Sequence, residues 1–317
     1  MVSTSVARPK AHAAPPKKGA LRSYWPQYLA ISPFFVLFLV FMLIPILFSL
    51  YLAFQKWDGL GDMEFVGLRN FQFLIKDSTF WLSLKNTFVI WFMSTVPTLF
   101  LALVLANLLN STVRFAGAYR IAYFVPNVTS VVAIAIFFGS VFSTNFGLIN
   151  MVLGWLGSSP VPWLVNEWTI KVVIATLICW QWTGYNAIIY LAGLQAIPTE
   201  LYEAAKIDGA GAVQTFFRIT IPQLRPIILF TVVMSTINGM QTFTEPQVLF
   251  SGNAANAANG GGPGSAGLTA ILYFYREAFN NNDYGYGAAI AWAMFVVILL
   301  FTAINWRIVA RPRKEGR

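Results

Sequence analysis

The sequence predicts an all-α integral membrane protein with six transmembrane helices, and three observations carry that expectation. Apolar residues make up 57% of the 317 and charged residues only 10%, where a soluble domain carries about 25% charged. The mean hydropathy is +0.64. Uncharged stretches recur along the chain, each long enough for the roughly 20 apolar residues that cross a bilayer. Lys and Arg fall unevenly between them.

Taken in order, residues 23–55 are uncharged, with an apolar heart at 29–54 that predicts helix 1. The next charge-free stretch predicts helix 2 over 86–110. Residues 121–166 are long enough for helix 3, over 117–142, plus a segment that does not span. Helices 4, 5 and 6 are predicted over 172–196, 226–250 and 284–307.

With the N-terminus inside, the outer segments hold only Lys56, Arg69, Lys76, Lys85, Lys171 and Arg276, leaving 15 of the 21 basic residues inside. That bias predicts cytoplasmic N- and C-termini. It also accounts for the net charge of +9 as topology and anionic lipid, so nucleic acid is set aside as a partner. Residues 1–22 read as a disordered cytoplasmic tail, 23–310 as the membrane domain and 311–317 as a basic tail. No cleavable signal is expected, because the only Ala-x-Ala (11–13) precedes an apolar run that is too long. The single Cys179 and the tail residue His12 leave little for a metal site or a nucleophilic catalytic unit, so neither enzyme activity nor a metal is expected.

The outer loops differ in character. Residues 56–85 mix polar and aromatic side chains and predict short helical caps. Residues 146–156 are amphipathic and are expected at the outer surface. Residues 251–267 are rich in Gly, Asn and Ala and are expected to be mobile.

The inner loop over 199–222 reads as two short helices about a glycine turn. Thr199 is the expected N-cap, with Glu200 and Glu203 in the first turn, where the helix dipole favours acids. Asp208 and Gly209 form a stop signal. A second helix over about 212–220 carries Phe216, Phe217 and Ile219, and Pro222 is expected to close it. Ala204 and Ala205 are small enough for another backbone to come close. Read without further context, the loop is a well-capped connector.

The spacing Glu203-Ala204-Ala205, then Gly209, then Ile219, Ile221 and Pro222 resembles the signature of the membrane subunits of ABC importers; Ile221 stands where Leu is usual. The wider resemblance is to the carbohydrate-uptake permeases of the maltose-type first subunit. It covers residues 65–87, 119–138, 193–226, 260–263 and 284–295. It implies the type I ABC importer permease architecture and a place in the bacterial cytoplasmic membrane. The implied partners are a second six-helix permease, an ATPase dimer and an extracytoplasmic sugar-binding protein. It implies no cofactor in this chain, with ATP and Mg in the ATPase, and the chain has no G-x-x-x-x-G-K-[ST] of its own. The inner loop would be the coupling element: Glu203, Ala204, Ala205, Asp208, Gly209, Ile219 and Pro222 would form the ATPase contact, and its movement would drive alternating access.

Sugar recognition needs hydrogen-bonding groups and aromatic faces near mid-membrane, where polar residues are costly unless they meet a cavity or a partner helix. Helix 4 places Trp182, Tyr185 and Asn186 on one face. Tyr185 lies 14 residues from Lys171, about 21 Å into the membrane at 1.5 Å per residue. Helix 5 carries the stripe Ser235, Asn238, Thr242 and Glu245, with Gln241 beside it. Ser235 and Thr242 can equally bond to neighbouring helices, and Glu245 is expected as a solvated charge at the outer mouth. By the resemblance, the sugar-contacting Tyr falls on Tyr185 and two amides on Asn238 and Gln241, while a Ser of that site falls on Met234. The expected substrate is a di- or oligosaccharide. A permease for glycerol phosphate or a polyol is the alternative, though a phosphate favours intramembrane Arg or Lys, and the predicted span interiors hold none. A standalone ion-coupled carrier would favour buried acids there and leaves the inner loop unexplained.

Overall fold

The computed structural model describes residues 24–110, 115–251 and 260–310. The expected tails at 1–22 and 311–317, and residues 252–259 of the Gly/Asn-rich loop, lie outside the described residues. The chain divides into two compact units, Met1–Tyr51 and Leu52–Arg317. Among the described residues, five helices are long and apolar enough to cross a membrane, or six if one sharply bent pair counts as a single span.

Helix α1, Trp25–Leu52, accounts for the described part of the first unit. Its large side chains, Phe34, Phe41 and Leu47 among them, are exposed, as suits a helix that is apolar all round. Two prolines interrupt its hydrogen bonds and each is accommodated locally. Pro33 cannot donate to Leu29, and the Ser32 hydroxyl donates to that carbonyl instead, at 2.8 Å. A π turn, Leu39–Leu43, precedes Pro45 and absorbs the second gap.

In the second unit a short hairpin pairs β1 (Gln55–Lys56) with β2 (Glu64–Phe65), Gln55 opposite Phe65. Helix α2, Arg69–Lys76, follows. Helix α3, Ser78–Leu109, begins eight residues before the predicted start of helix 2, because Asp77 caps it: its Oδ1 accepts the Thr79 amide at 2.8 Å. Lys85 lies inside this helix, exposed. Absence of charge therefore marks the apolar part of a helix rather than its end.

The predicted helix 3 is a bent pair, α4 (Ala116–Val128) and α5 (Val131–Val141), turning through 96° between them. Thr129 and Ser130 are extended, and the Thr129 hydroxyl donates to the Val125 carbonyl at 2.8 Å. Hydroxyl side chains that satisfy the backbone locally compete with the helix. The short helix α6, Leu148–Trp155, is held by Asn150, whose Oδ1 accepts the Val161 amide and the Trp163 ring N–H while its Nδ2 donates to Val161 and Thr144.

Helix α7, Glu167–Gln195, starts earlier than predicted because Lys171 is buried inside it, paired with Glu167 at 2.6 Å. It packs along α3. Ala102 and Ala106 of α3 sit against Ala187, Tyr190, Leu191 and Leu194; small residues allow this approach without a hydrophobic driving force. Gly184 is required where α4 crosses, since a Cβ there would lie 1.8 Å from the Tyr123 carbonyl oxygen.

Helix α8, Thr199–Ile207, has Pro198 rather than Thr199 at its N-cap, and no side chain caps it. Only Glu200 lies in its first turn. A turn, Ala212–Thr215, and a π turn, Phe216–Thr220, then run directly into α9, Ile221–Met240. Pro222 therefore opens α9 rather than closing a separate helix. The π turn shifts the Ile221 amide to the Phe216 carbonyl and takes up the disruption a proline brings.

Helix 5 lies within the candidate span Ala212–Ser251 but is interrupted. α9 stops at Met240, and α10, Thr244–Ser251, resumes after a break. The described part of the following loop, 260–267, is well packed, contrary to the expected mobility. Gly261 and Gly262 are buried at positive φ, and a Cβ on Gly262 would lie 2.6 Å from the Phe250 ring. Glycine here serves close approach rather than freedom. Asn86 Nδ2 donates to the Ser265 and Leu268 carbonyls at 2.9 and 3.1 Å. Helix α11, Ala270–Tyr275, and helix α12, Tyr284–Ala310, complete the described residues.

Candidate functional site: a polar cavity and an exposed inner loop

A cavity of about 260 Å³ lies among α3, α7 and the broken α9–α10 segment. All six side chains expected in a substrate pathway line it: Trp182, Tyr185, Asn186, Asn238, Gln241 and Thr242. Trp182 and Tyr185 stand edge to face, 5.7 Å apart. Tyr185, Asn238 and Gln241 are exposed, whereas Asn186 and Thr242 are buried. The Asn186 amide donates back to the Trp182 carbonyl at 3.0 Å, and the Thr242 hydroxyl donates to Gly239 at 2.8 Å. Those two donors are thus committed within the wall, and Tyr185, Asn238 and Gln241 present the more accessible polar groups. Met234 and Ser235 also line the cavity.

Other lining residues escaped the sequence reading or were misplaced by it, Thr95, Thr98 and Glu245 among them. Thr95 and Thr98 of α3 form part of the wall; the signal was the run of hydroxyl residues at 94, 95 and 98 within an apolar helix. Thr98 donates to the Ser94 carbonyl at 2.7 Å. Glu245, expected as a solvated charge, is half-buried and lines the same cavity. Glu245 closes the polar stripe of Ser235, Asn238 and Thr242, and the interruption at 241–243 leaves all four on the cavity wall.

The break itself is a functional signature. An unpaired backbone group in hydrocarbon costs several kcal/mol, so irregular backbone at membrane depth survives only where protein satisfies it or a wet cavity meets it. Here protein groups satisfy the backbone beside a cavity with polar lining. Thr269 donates to the Thr242 carbonyl at 2.6 Å, and the Gln241 amide donates to Asn238 at 3.1 Å. Gly239 lets Trp91 approach, where a Cβ would meet the ring at 2.6 Å.

The inner loop presents a second candidate surface. Glu203, Ala204, Asp208 and Gly209 are exposed, Ile219 is half-buried and Pro222 exposed. Ala205, at 6% exposure, faces inward, so its small size serves packing within this chain and it is not offered to another backbone. Gly209, at φ 73°, makes the turn: its amide donates to Lys206, and the Ala210 amide to Ala205, which is the Schellman pairing. Tyr202 and Thr220 share a hydroxyl–hydroxyl bond of 3.2 Å that ties the two arms together. Ile207, Val213 and Phe217 stand out as exposed apolar side chains around the turn, at 86, 72 and 65%, a surface suited to burial by a partner.

Comparison with known proteins agrees with this architecture. Residues 73–314 match the family described as "Binding-protein-dependent transport system inner membrane component". The chain is 37% identical over 291 residues to the arabinooligosaccharides transport system permease protein AraP of Bacillus subtilis, covering 91% of this chain and 90% of that protein. It is 38% identical over 304 residues to the lactose transport system permease protein LacF of Rhizobium radiobacter, covering 94% and 98%. It is 32% identical to the trehalose/maltose transport system permease protein MalF of Thermococcus litoralis, covering 91% and 94%. The fold is similar to a crystal structure of a bacterial ABC transporter that imports the acidic polysaccharide alginate, with a TM-score of 0.78 and 23% identity over 93% of this chain and 98% of that one. The chain therefore belongs to the binding-protein-dependent transport system inner membrane components and, among them, to the carbohydrate-uptake ABC permeases.

Proposed function

We propose that this chain is the first of two permease subunits of a bacterial ABC importer and that it translocates a di- or oligosaccharide by alternating access. The observation that carries the reading is the convergence of α7 and the broken α9–α10 segment on one cavity, with Tyr185, Asn238 and Gln241 presenting an aromatic ring and two amides. Such broken helices around a cavity are the usual form of a transporter's substrate site. The relatives named for arabinooligosaccharides, lactose and trehalose/maltose support a saccharide of two or more units. Among the described residues, no Lys or Arg lines the cavity, which disfavours a phosphate ester such as glycerol phosphate.

The inner loop, with Glu203, Ala204, Asp208, Gly209 and Pro222 exposed and Ile219 half-buried, is the docking element for an ATPase dimer. ATP and Mg bind in that partner. A second six-helix permease would complete the pathway, and an extracytoplasmic binding protein would deliver the sugar. The excess of basic residues in the inner segments supports cytoplasmic termini.

The test is uptake into proteoliposomes that contain both permeases, the ATPase and the binding protein. Arabinotriose, lactose, trehalose and maltose are offered with ATP inside or outside. Uptake of at least one saccharide that needs ATP on the side of the inner loop supports the reading. Uptake without ATP, or of glycerol 3-phosphate alone, overturns it.

A further inference from the structure

We propose that Glu245 sets the charge class of the substrate, so that the cavity accepts non-anionic saccharides and rejects those that carry a carboxylate. This inference rests on the sugar-importer reading above and adds to it a property that the fold does not determine.

Among the described residues, Glu245 is the only carboxyl group lining the cavity, and no Lys, Arg or His lines it. An acid within a membrane span is costly and persists where it faces a cavity or a partner group. The chain invests local structure in placing it there. α9 stops at Met240, residues 241–243 turn, and Glu245 sits in the first turn of α10, where the helix dipole favours an acidic side chain. Pro246, next in sequence, is buried and fixes the start of that turn, where its missing N–H costs nothing. Asn238, Gln241 and Tyr185 line the same space.

The chemistry follows from the group. A carboxylate has two oxygens and no donor, so it pairs with hydroxyl groups, which a saccharide supplies in adjacent pairs, through charge-assisted hydrogen bonds. In its ionised form it repels a uronate carboxylate, and no cationic side chain among the described residues of the wall offsets that repulsion. Selection thus has an attractive and a repulsive part on one residue.

The test uses the intact importer complex, purified in detergent, without its binding protein, so that upstream selection does not mask the cavity's own. Equilibrium binding is measured for the neutral disaccharide that the proteoliposome assay identifies and for the same disaccharide oxidised at one primary hydroxyl to the uronate. Wild type should bind the uronate at least about tenfold more weakly. Glu245→Gln, which keeps the shape and removes the charge, should bring the two affinities within about threefold, while Glu245→Asp keeps the preference. Equal affinities in wild type overturn the proposal even if every variant misfolds. An unchanged preference in a folded Glu245→Gln complex also overturns it. If wild type neither binds nor imports any saccharide, the sugar-importer reading fails instead.

Discussion

The Thr269 hydroxyl donates to the Thr242 carbonyl at 2.6 Å inside the protein, joining two segments 27 residues apart. It holds the turn that carries Gln241, Thr242 and Glu245 into the cavity. The same hydroxyl accepts the Leu272 amide at 3.3 Å, so one side chain caps α11 and pins the broken helix. Thr269→Val keeps the shape but leaves a buried carbonyl unpaired, a cost of about 1–3 kcal/mol. Thermal unfolding should shift down by several degrees and the saccharide KM should rise, with Thr269→Ser restoring both. A Val variant with unchanged melting and KM would remove the bond from the account of the site.

Removing the accessible cavity groups should separate transport from hydrolysis. Tyr185→Ala combined with Asn238→Ala deletes an aromatic ring and an amide from the wall and leaves the inner loop untouched. Sugar-stimulated transport should fall at least about tenfold in kcat/KM, in line with one or two lost hydrogen bonds and a lost ring, while basal ATPase activity stays within about twofold. An unchanged transport rate and KM would take both residues out of the pathway.

At the inner loop, Glu203 is exposed on α8, and among the described residues no bond to another side chain of this chain holds its carboxylate. Reversing its charge should leave this chain folded and disable the contact with the ATPase. Glu203→Arg should reach the membrane in normal amount and lose ATP-dependent uptake almost completely; normal uptake by this variant would refute its coupling role.

Gly209 offers a cleaner test of the turn, because a Cβ added there would meet nothing within 4 Å and its φ is 73°. Any penalty on substitution is therefore backbone strain, about 1–2 kcal/mol for an L-residue held in this region. Gly209→Val should slow ATP-driven uptake, and Gly209→Asn, whose side chain tolerates the left-handed conformation, should retain most of it. Equal loss in both would point to a steric contact with the partner instead of the turn.

Much of the fold was legible because hydrophobic runs are a direct record of the bilayer. Helix existence followed from the absence of charge; helix ends did not. Asp77 and Glu167 begin α3 and α7 at polar residues that a search for uncharged runs discards. Tyr185, Asn238 and Gln241 could be placed by counting residues, since each lies on a regular helix or at its very end. The break after Met240 could not, because Thr269, Gly239 and Trp91 are brought to it only by the fold. The bend at Thr129–Ser130 was hidden for a related reason: its residues are compatible with a helix, and the competing hydrogen bond from Thr129 to Val125 is visible only in three dimensions.

The first turns of α3 and α12 meet α11 at one carboxylate, which makes their stability sensitive to acid. Asp77 accepts the hydroxyl of Tyr286 at 2.5 Å and that of Tyr273, besides capping α3. Burial pushes the Asp77 carboxyl up, but the hydrogen bonds from Tyr273, Tyr286 and the Thr79 and Phe80 amides together outweigh it and hold it below the ordinary 3.8. Burial, with the bond to Asp77 second, pushes the Tyr273 hydroxyl up, so it remains a proton donor throughout the physiological range. A carboxyl whose value is lowered by folding binds its proton more readily when unfolded. Its contribution is therefore fully present above the ordinary carboxylate value and is lost as pH falls through the lower folded value. Wild type should lose thermal stability between about pH 4 and lower pH. Asp77→Asn retains an N-cap acceptor and lacks the titrating charge. It should melt lower than wild type at pH 7 and show a flatter melting profile below pH 4. Parallel profiles for the two proteins would mean that the charge on Asp77 does not contribute, and that the tyrosines need only an acceptor.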